Sequence, residues 1–262
     1  MTKRIGLRLL LISLSMTLTL ATGRAFAIPL AYEGFQYPPG THMLPGAMCG
    51  GSGWGGSCWV GSSAMLAVPP SLSYPTALPS TGIALLNPTL GEAYRNFLGP
   101  LPNNFGSDLW ISFQEESLGV GSAALVDLRP TFPIQDISVL KSAAGKIYLN
   151  GLFAKLSNGP GQVDFFVLQL TKFSGTTTEK LWVDPGPGAL AGPPDAFLTI
   201  SSPIVLDQFY YRSDPGQLLD EIRVGTTPSD VAGTAVPEPG TMLLLGSGLA
   251  GLAVAAIRRQ RV

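Results

Sequence analysis

Helix breakers set the first limit on what this chain can become. It holds 32 glycines and 23 prolines in 262 residues, and they recur too often for a long helix outside the two ends. Pro69, Pro70, Pro75, Pro79 and Pro88 exclude helix and central strand over residues 68–88, because proline fixes φ and lacks the N–H a ladder needs. Between the breakers the apolar residues keep a period of two. Leu109, Ile111 and Phe113 fall on one face, and Trp110, Ser112 and Gln114 on the other, the pattern of a half-buried strand. Residues 163–170 are apolar on both faces and read as a central strand, and 179–184 alternates until Pro185-Gly186-Pro187-Gly188 stops it. Asn150-Gly151 fits the type I′ turn of a hairpin joining 146–149 to 152–154. Further strands are predicted at 30–35, 204–212 and 218–224, the last two parted by Asp214-Pro215-Gly216. Many short strands spaced by turns predict an all-β sandwich or jelly roll.

Charge divides the chain. Seven of the 16 basic residues lie at the ends, leaving nine in residues 28–236 against 16 acidic ones. An acidic body without basic clusters argues against nucleic acid as a partner. Cys49 and Cys58 are nine apart in a glycine-rich segment with Trp54 and Trp59. They are either two thiols or one short disulfide, and export favours the bridge. The glycine run is no phosphate loop, since no Gly-Lys-Ser/Thr follows it; it reads as a loop packed on its own tryptophans.

Both ends read as targeting segments. Residues 1–27 have a basic start (Lys3, Arg4, Arg8), a short apolar stretch from Leu9 to Ala21, and small residues Ala25 and Ala27 around Phe26. This is the layout of a secretory signal peptide cleaved before Ile28, which implies Sec export and signal peptidase as partners. At the other end, Val236-Pro237-Glu238-Pro239-Gly240 precedes an apolar run over 241–257, and Arg258, Arg259 and Arg261 follow. The run is long enough to span a bilayer, and the arginines hold its end in the cytoplasm. Residues 226–235 read as a linker.

Motif, apolar helix and basic cluster in that order resemble the PEP-CTERM sorting signal of Gram-negative surface proteins. The resemblance implies an exosortase-type membrane peptidase that recognises Pro237-Glu238-Pro239, a transient membrane anchor, and delivery to the cell surface or the extracellular matrix. It also implies an association with exopolysaccharide and biofilm. A permanently anchored single-pass protein is the alternative. The body, residues 28–225, resembles laminin-G-like, concanavalin A-like jelly rolls of PEP-CTERM proteins. The resemblance lies in Leu109–Phe113, in Glu179–Pro185 with Pro194-Asp195-Ala196, and in Asp220–Thr227. It implies a two-sheet jelly roll with polysaccharide as a candidate ligand.

Catalytic signals are weak. His42 is the single histidine, and no Gly-x-Ser-x-Gly elbow is present. Jelly-roll hydrolases with Glu-x-Asp-x-Glu on one strand set their carboxylates on one face; this chain has no such triplet. Glu115-Glu116 and Asp220-Glu221 are adjacent pairs, expected on opposite faces of a strand as solvated surface charges. The expectation is a binding protein rather than an enzyme, with a secreted polysaccharide-active enzyme as the rival. Trp110 and Trp182, on the polar faces of their strands, are the candidate glycan platform, with Trp54, Trp59, Tyr210 and Tyr211 as additions. No cofactor is required. Calcium, bound by oxygen ligands, is the one candidate, through Asp184, Asp195, Asp207 and Asp214 at turns.

Overall fold

The computed structural model describes residues 30–232 apart from 45, 55–57, 81, 102–107, 130–135, 174, 187 and 202–205. Its strands, in chain order, are β1 (Ala31–Glu33), β2 (Val60–Gly61), β3 (Leu66–Val68), β4 (Ala84–Asn87), β5 (Gly91–Leu101), β6 (Asp108–Ser117), β7 (Ala124–Arg129), β8 (Ile137–Lys141), β9 (Lys146–Leu149), β10 (Leu152–Leu156), β11 (Val163–Phe173), β12 (Thr176–Val183), β13 (Ala196–Ile200), β14 (Leu206–Ser213) and β15 (Gln217–Gly225). A 3₁₀ turn spans Ala189–Ala191, and one short helix, α1, spans Pro228–Val231.

The strands form two antiparallel sheets. One has eight strands in the order β13-β12-β11-β6-β15-β4-β3, with β1 also on β15; the other has seven in the order β10-β9-β8-β7-β14-β5-β2. This is the two-sheet jelly roll expected of an all-β chain. Alternation decides the core. Leu109, Ile111 and Phe113 face inward beside Phe166, Leu168 and Leu170 of β11, and meet Val126, Leu128, Phe209 and Tyr211 of the other sheet. Phe113 stacks on Phe166 at 4.7 Å and meets Phe209 edge-on at 6.2 Å across the sandwich, favoured aromatic geometries.

The predicted hairpin is present: Leu152 pairs with Leu149, and Asn150 and Gly151 take φ of 46° and 81°, as a type I′ turn demands. Asn150 also caps the neighbouring strand through Oδ1, which accepts the Ser138 N–H at 2.6 Å. The glycine-rich segment is closed by a Cys49–Cys58 disulfide. It turns its tryptophans inward, as expected. Trp54 stacks on Phe97 at 5.1 Å, and Trp59 stacks on Phe35 at 5.7 Å. Trp59 Nε1–H donates to Glu33 Oε2 at 3.1 Å. Glu33 is buried, accepts from the Phe35 N–H and the Tyr37 hydroxyl, and is paired with Arg95. Strands β2, β3, β4, β5, β7, β8 and β13 were not foreseen, and β4, paired on one side with β15 and on the other with β3, overturns the exclusion of a central strand from residues 68–88.

One boundary is corrected. Thr226 to Ala232 is not linker but part of the folded body. Pro at the first helical position and a capping box between Thr227 and Asp230 start α1. Asp230 also accepts the N–H groups of Thr226 and Thr227, each at 2.8 Å. Val231 and Ala232 are fully buried. A Cβ on Gly225 would lie 2.1 Å from Asp230 Cβ, so the packing of α1 on β15 requires glycine there.

Candidate functional site

The proposed tryptophan platform is overturned. Trp110 and Trp182 do lie on the outer face of the eight-stranded sheet, stacked on each other at 5.7 Å, but they are 6% and 4% exposed. Tyr74 and Ala77 from the proline-rich loop, Leu190 from the 3₁₀ turn, and Val231 with Ala232 cover them. The Ser112 hydroxyl fastens the cover by donating to the Val231 carbonyl at 2.7 Å. A period of two separates the two faces of a strand but says nothing about what a distant segment lays over one of them. Trp54, Trp59 and Tyr211 are likewise interior, and Tyr210 is 6% exposed.

The acidic pairs are corrected as well. Glu115, Asp220 and Glu221 are buried, not solvated. Glu221 takes φ of 53°, and the register shifts between Asp220 and Arg223. This bulge swings both carboxylates to one place: Ser80 Oγ lies 3.3 Å from Asp220 Oδ2 and 3.1 Å from Glu221 Oε1. Asp220 also accepts the Leu72 N–H at 2.8 Å and the Ser71 hydroxyl. Burial pushes its carboxyl up to about 7, against those hydrogen bonds and with the help of the Glu221 charge. The pair therefore pins the proline-rich loop to β15. Three of the four turn carboxylates named for calcium hold backbone. Asp184 accepts the Phe165 N–H, Asp195 the Val183 N–H and Asp214 the Ala123 N–H. Among the described residues no group of three or more His, Cys, Asp or Glu side chains is placed to hold a metal. His42 is exposed, with Nδ1 3.0 Å from the Ser63 carbonyl.

The outer face of the seven-stranded sheet is different. Register sets three rows of outward side chains across it. Tyr94, Tyr210, Asp127 and Ser138 form one; Asn96, Gln208 and Arg129 a second; Glu92, Arg212, Leu125, Leu140 and Tyr148 a third. The rows are cross-linked. The Arg129 guanidinium lies 3.5 Å over the Tyr210 ring and donates through Nε to Gln208 Oε1 at 2.9 Å. Gln208 Nε2 donates to Asn96 Oδ1 at 3.0 Å, Tyr210 to Glu92 at 2.6 Å, and Ser138 to Asp127 at 2.6 Å. Burial pushes the Tyr210 phenol up to about 12, with Glu92 adding to it; burial also raises the Asp127 carboxyl over the pull of Ser138. Glu92, Asn96 and Arg212 remain exposed at the surface of this network, with Tyr94, Arg129 and Tyr148 half-buried. Phe153, 50% exposed, meets Tyr148 edge-on at the far side. The face therefore offers polar groups already held in place beside aromatic edges. Of its residues only Tyr210 was a sequence candidate; Arg129 and Asn96 sit on strands the periodicity did not reveal.

The remaining predicted sites, Ala25 and Ala27, Val236 to Gly240, the apolar run over 241–257, and Arg258, Arg259 and Arg261, lie outside the described residues. Among the described residues no helix is long and apolar enough to cross a membrane. Residues 235–260 match the PEP-CTERM protein-sorting motif. The chain carries a PEP-CTERM sorting signal. That signal marks an exported protein, handled by an exosortase-type peptidase and only transiently anchored in the membrane. No curated protein sequence matches the chain. Among solved structures it is similar to lectin II from Ulex europaeus, at 10% identity and TM-score 0.40, over 71% of this chain and 95% of the lectin. It is also similar to a β-1,3-glucanase from Mycobacterium marinum, at 10% identity and TM-score 0.38, over 76% and 99% of the two chains. A Bacillus subtilis protein with a galectin-like fold aligns at 8% identity and TM-score 0.38, over 73% and 98%. These likenesses say nothing of what this chain binds.

Proposed function

We propose that the body is a carbohydrate-binding module of the cell surface or extracellular matrix, and that its site is the outer face of the seven-stranded sheet. The observation that carries the reading is the cross-linked Arg129–Gln208–Asn96 row beside half-buried Tyr94, with Tyr210 buried beneath Arg129. A glycan chain needs planar hydrogen-bonding partners for its hydroxyls and aromatic edges for its C–H faces. Groups held by their neighbours lose little freedom on binding. Binding without cleavage belongs to the same proposal, in which Glu92 and Asp127, each accepting a neighbouring hydroxyl, hold the network together. Export through the Sec machinery, removal of residues 1–27 by signal peptidase, and a part in exopolysaccharide or biofilm belong to the same proposal.

A glycan array tests the reading. Arg129→Ala should weaken oligosaccharide binding at least tenfold, and Trp182→Ala, where it folds, should leave it intact. Unchanged binding by Arg129→Ala would remove the site. Release of reducing ends from a bound polysaccharide would replace the module by an enzyme. Mass spectrometry of the exported protein should show Ile28 at its N-terminus and no Arg258–Val262; an intact basic end would favour a permanent anchor.

A further inference from the structure

One end of the sandwich holds a cleft of about 330 Å³, separate from the sheet face. Ser117 and residues 119–122 between β6 and β7, 141–145 between β8 and β9, and 156, 157, 159 and 160 between β10 and β11 line it. Its walls are tied to one another through the backbone. The Gly161 N–H donates to the Ser117 carbonyl at 2.7 Å, and the Ser157 N–H to the Gly145 carbonyl at 2.8 Å. The cleft is thus built into the fold, at the lower end of the size range of small-molecule sites.

Its chemistry is mixed. Lys141, 3% exposed, lines it and pairs with Asp164 at 2.7 Å. Its Nζ is buried in that ion pair, so the ammonium is not offered to a ligand. Ser142 and Ser157 each accept a backbone N–H, from Lys146 and Gly159, which leaves their hydroxyl protons to donate inward. The carboxyl groups beneath are sealed off as well. Asp164 and Glu115 sit in register on β11 and β6 and point into the intersheet space, and Glu115 Oε1 is buried with no hydrogen-bond partner. A ligand in the cleft therefore meets no free positive charge that would hold an anion. At the mouth Val120 and Leu156 are 87% and 60% exposed beside Pro160, apolar surface for C–H groups. The rest of the wall is mostly glycine, alanine and serine, which leaves the space open.

We propose that this end cleft is a second binding site, for one neutral polyhydroxylated unit the size of a single sugar ring. The ligand class rests on the carbohydrate reading above; the site does not share its residues. Calorimetry on the full chain, held in a zwitterionic detergent without sugar headgroups, tests it with glucose, galactose, mannose and glucuronate. Ala144 is exposed on the cleft wall, so Ala144→Trp fills the cleft without touching the core. A neutral monosaccharide should bind the wild type and Arg129→Ala alike and bind Ala144→Trp at least tenfold more weakly. Glucuronate should bind at least tenfold more weakly than its neutral counterpart. Equal binding by Ala144→Trp, tighter binding of glucuronate, or no neutral monosaccharide bound while oligosaccharides bind through Arg129 would each overturn the cleft alone. Monosaccharide binding lost in Ala144→Trp with no Arg129-dependent oligosaccharide binding would keep the cleft and overturn the sheet face. No binding of any glycan would overturn both.

Discussion

Glu115→Gln should remove a pH dependence opposite to ordinary acid denaturation. The carboxyl faces inward from β6, beside Asp164 and near Lys141. Burial pushes it up from 4.5 to about 7; Lys141 opposes the shift and Asp164 adds to it. The folded state thus holds this proton more tightly than the unfolded chain. Its stabilising contribution is complete below about pH 4.5 and is lost as the pH rises through about 7. The full shift is worth roughly 3 kcal/mol, most of it lost between pH 5 and pH 8. Glutamine has the same shape and no charge to bury. The variant should therefore gain roughly 2–3 kcal/mol on the wild type between those pH values, on the order of 1 M in urea midpoint for a chain of this size. Urea titration of the exported protein, followed by tryptophan fluorescence at pH 5, 6, 7 and 8, measures the difference. Asp220, also pushed up to about 7, stays in both proteins and cancels. A constant separation between the two midpoints from pH 5 to pH 8 would refute the buried, protonated carboxyl.

Other perturbations probe the covers and turns. Trp182→Ala should cost about 3–5 kcal/mol, because it empties a buried stack, and denaturant midpoints should show it. Gly225→Ala should dislodge α1 from β15, and limited proteolysis should then cut within residues 226–232, where the wild type resists. Replacing Cys49 and Cys58 by Ser should cost about 2–3 kcal/mol of loop entropy, with reductant producing the same loss in the wild type. Gly151→Val places a β-branched residue at φ of 81° and should cost at least about 1 kcal/mol in thermal stability.

Which parts of the fold could be read from the chain follows from where the determining contacts lie. Strand β6 and the Asn150-Gly151 hairpin depend on neighbours in sequence, so their patterns survive in a single chain. Strand β5 does not show. It carries Glu92, Arg95 and Asn96, and Arg95 turns inward only because Glu33 waits for it across 62 positions. The outer tryptophans failed for the same reason. Their cover arrives from residues 74–77, 190 and 231–232, and alternation cannot report it. The adjacent carboxylates Asp220 and Glu221 defeated the period of two through a single left-handed residue, Glu221, where an acidic side chain gives no warning of a bulge. The sheet-face site rests on register between β5, β14 and β7, which few local signals encode. The PEP-CTERM signal was legible because its recognition lies in contiguous residues.

The burial of Val231 and Ala232 fixes more than a boundary. From Ala232 to Pro237 there are five backbone steps, which cannot reach beyond about 18 Å even when fully extended. With α1 seated, the sorting peptidase must therefore work within that reach of the eight-stranded sheet, close under a folded wall. Anything joined to the new terminus would hang from the sheet opposite the proposed glycan face. The cargo would be held by its back, with its binding surface turned outward.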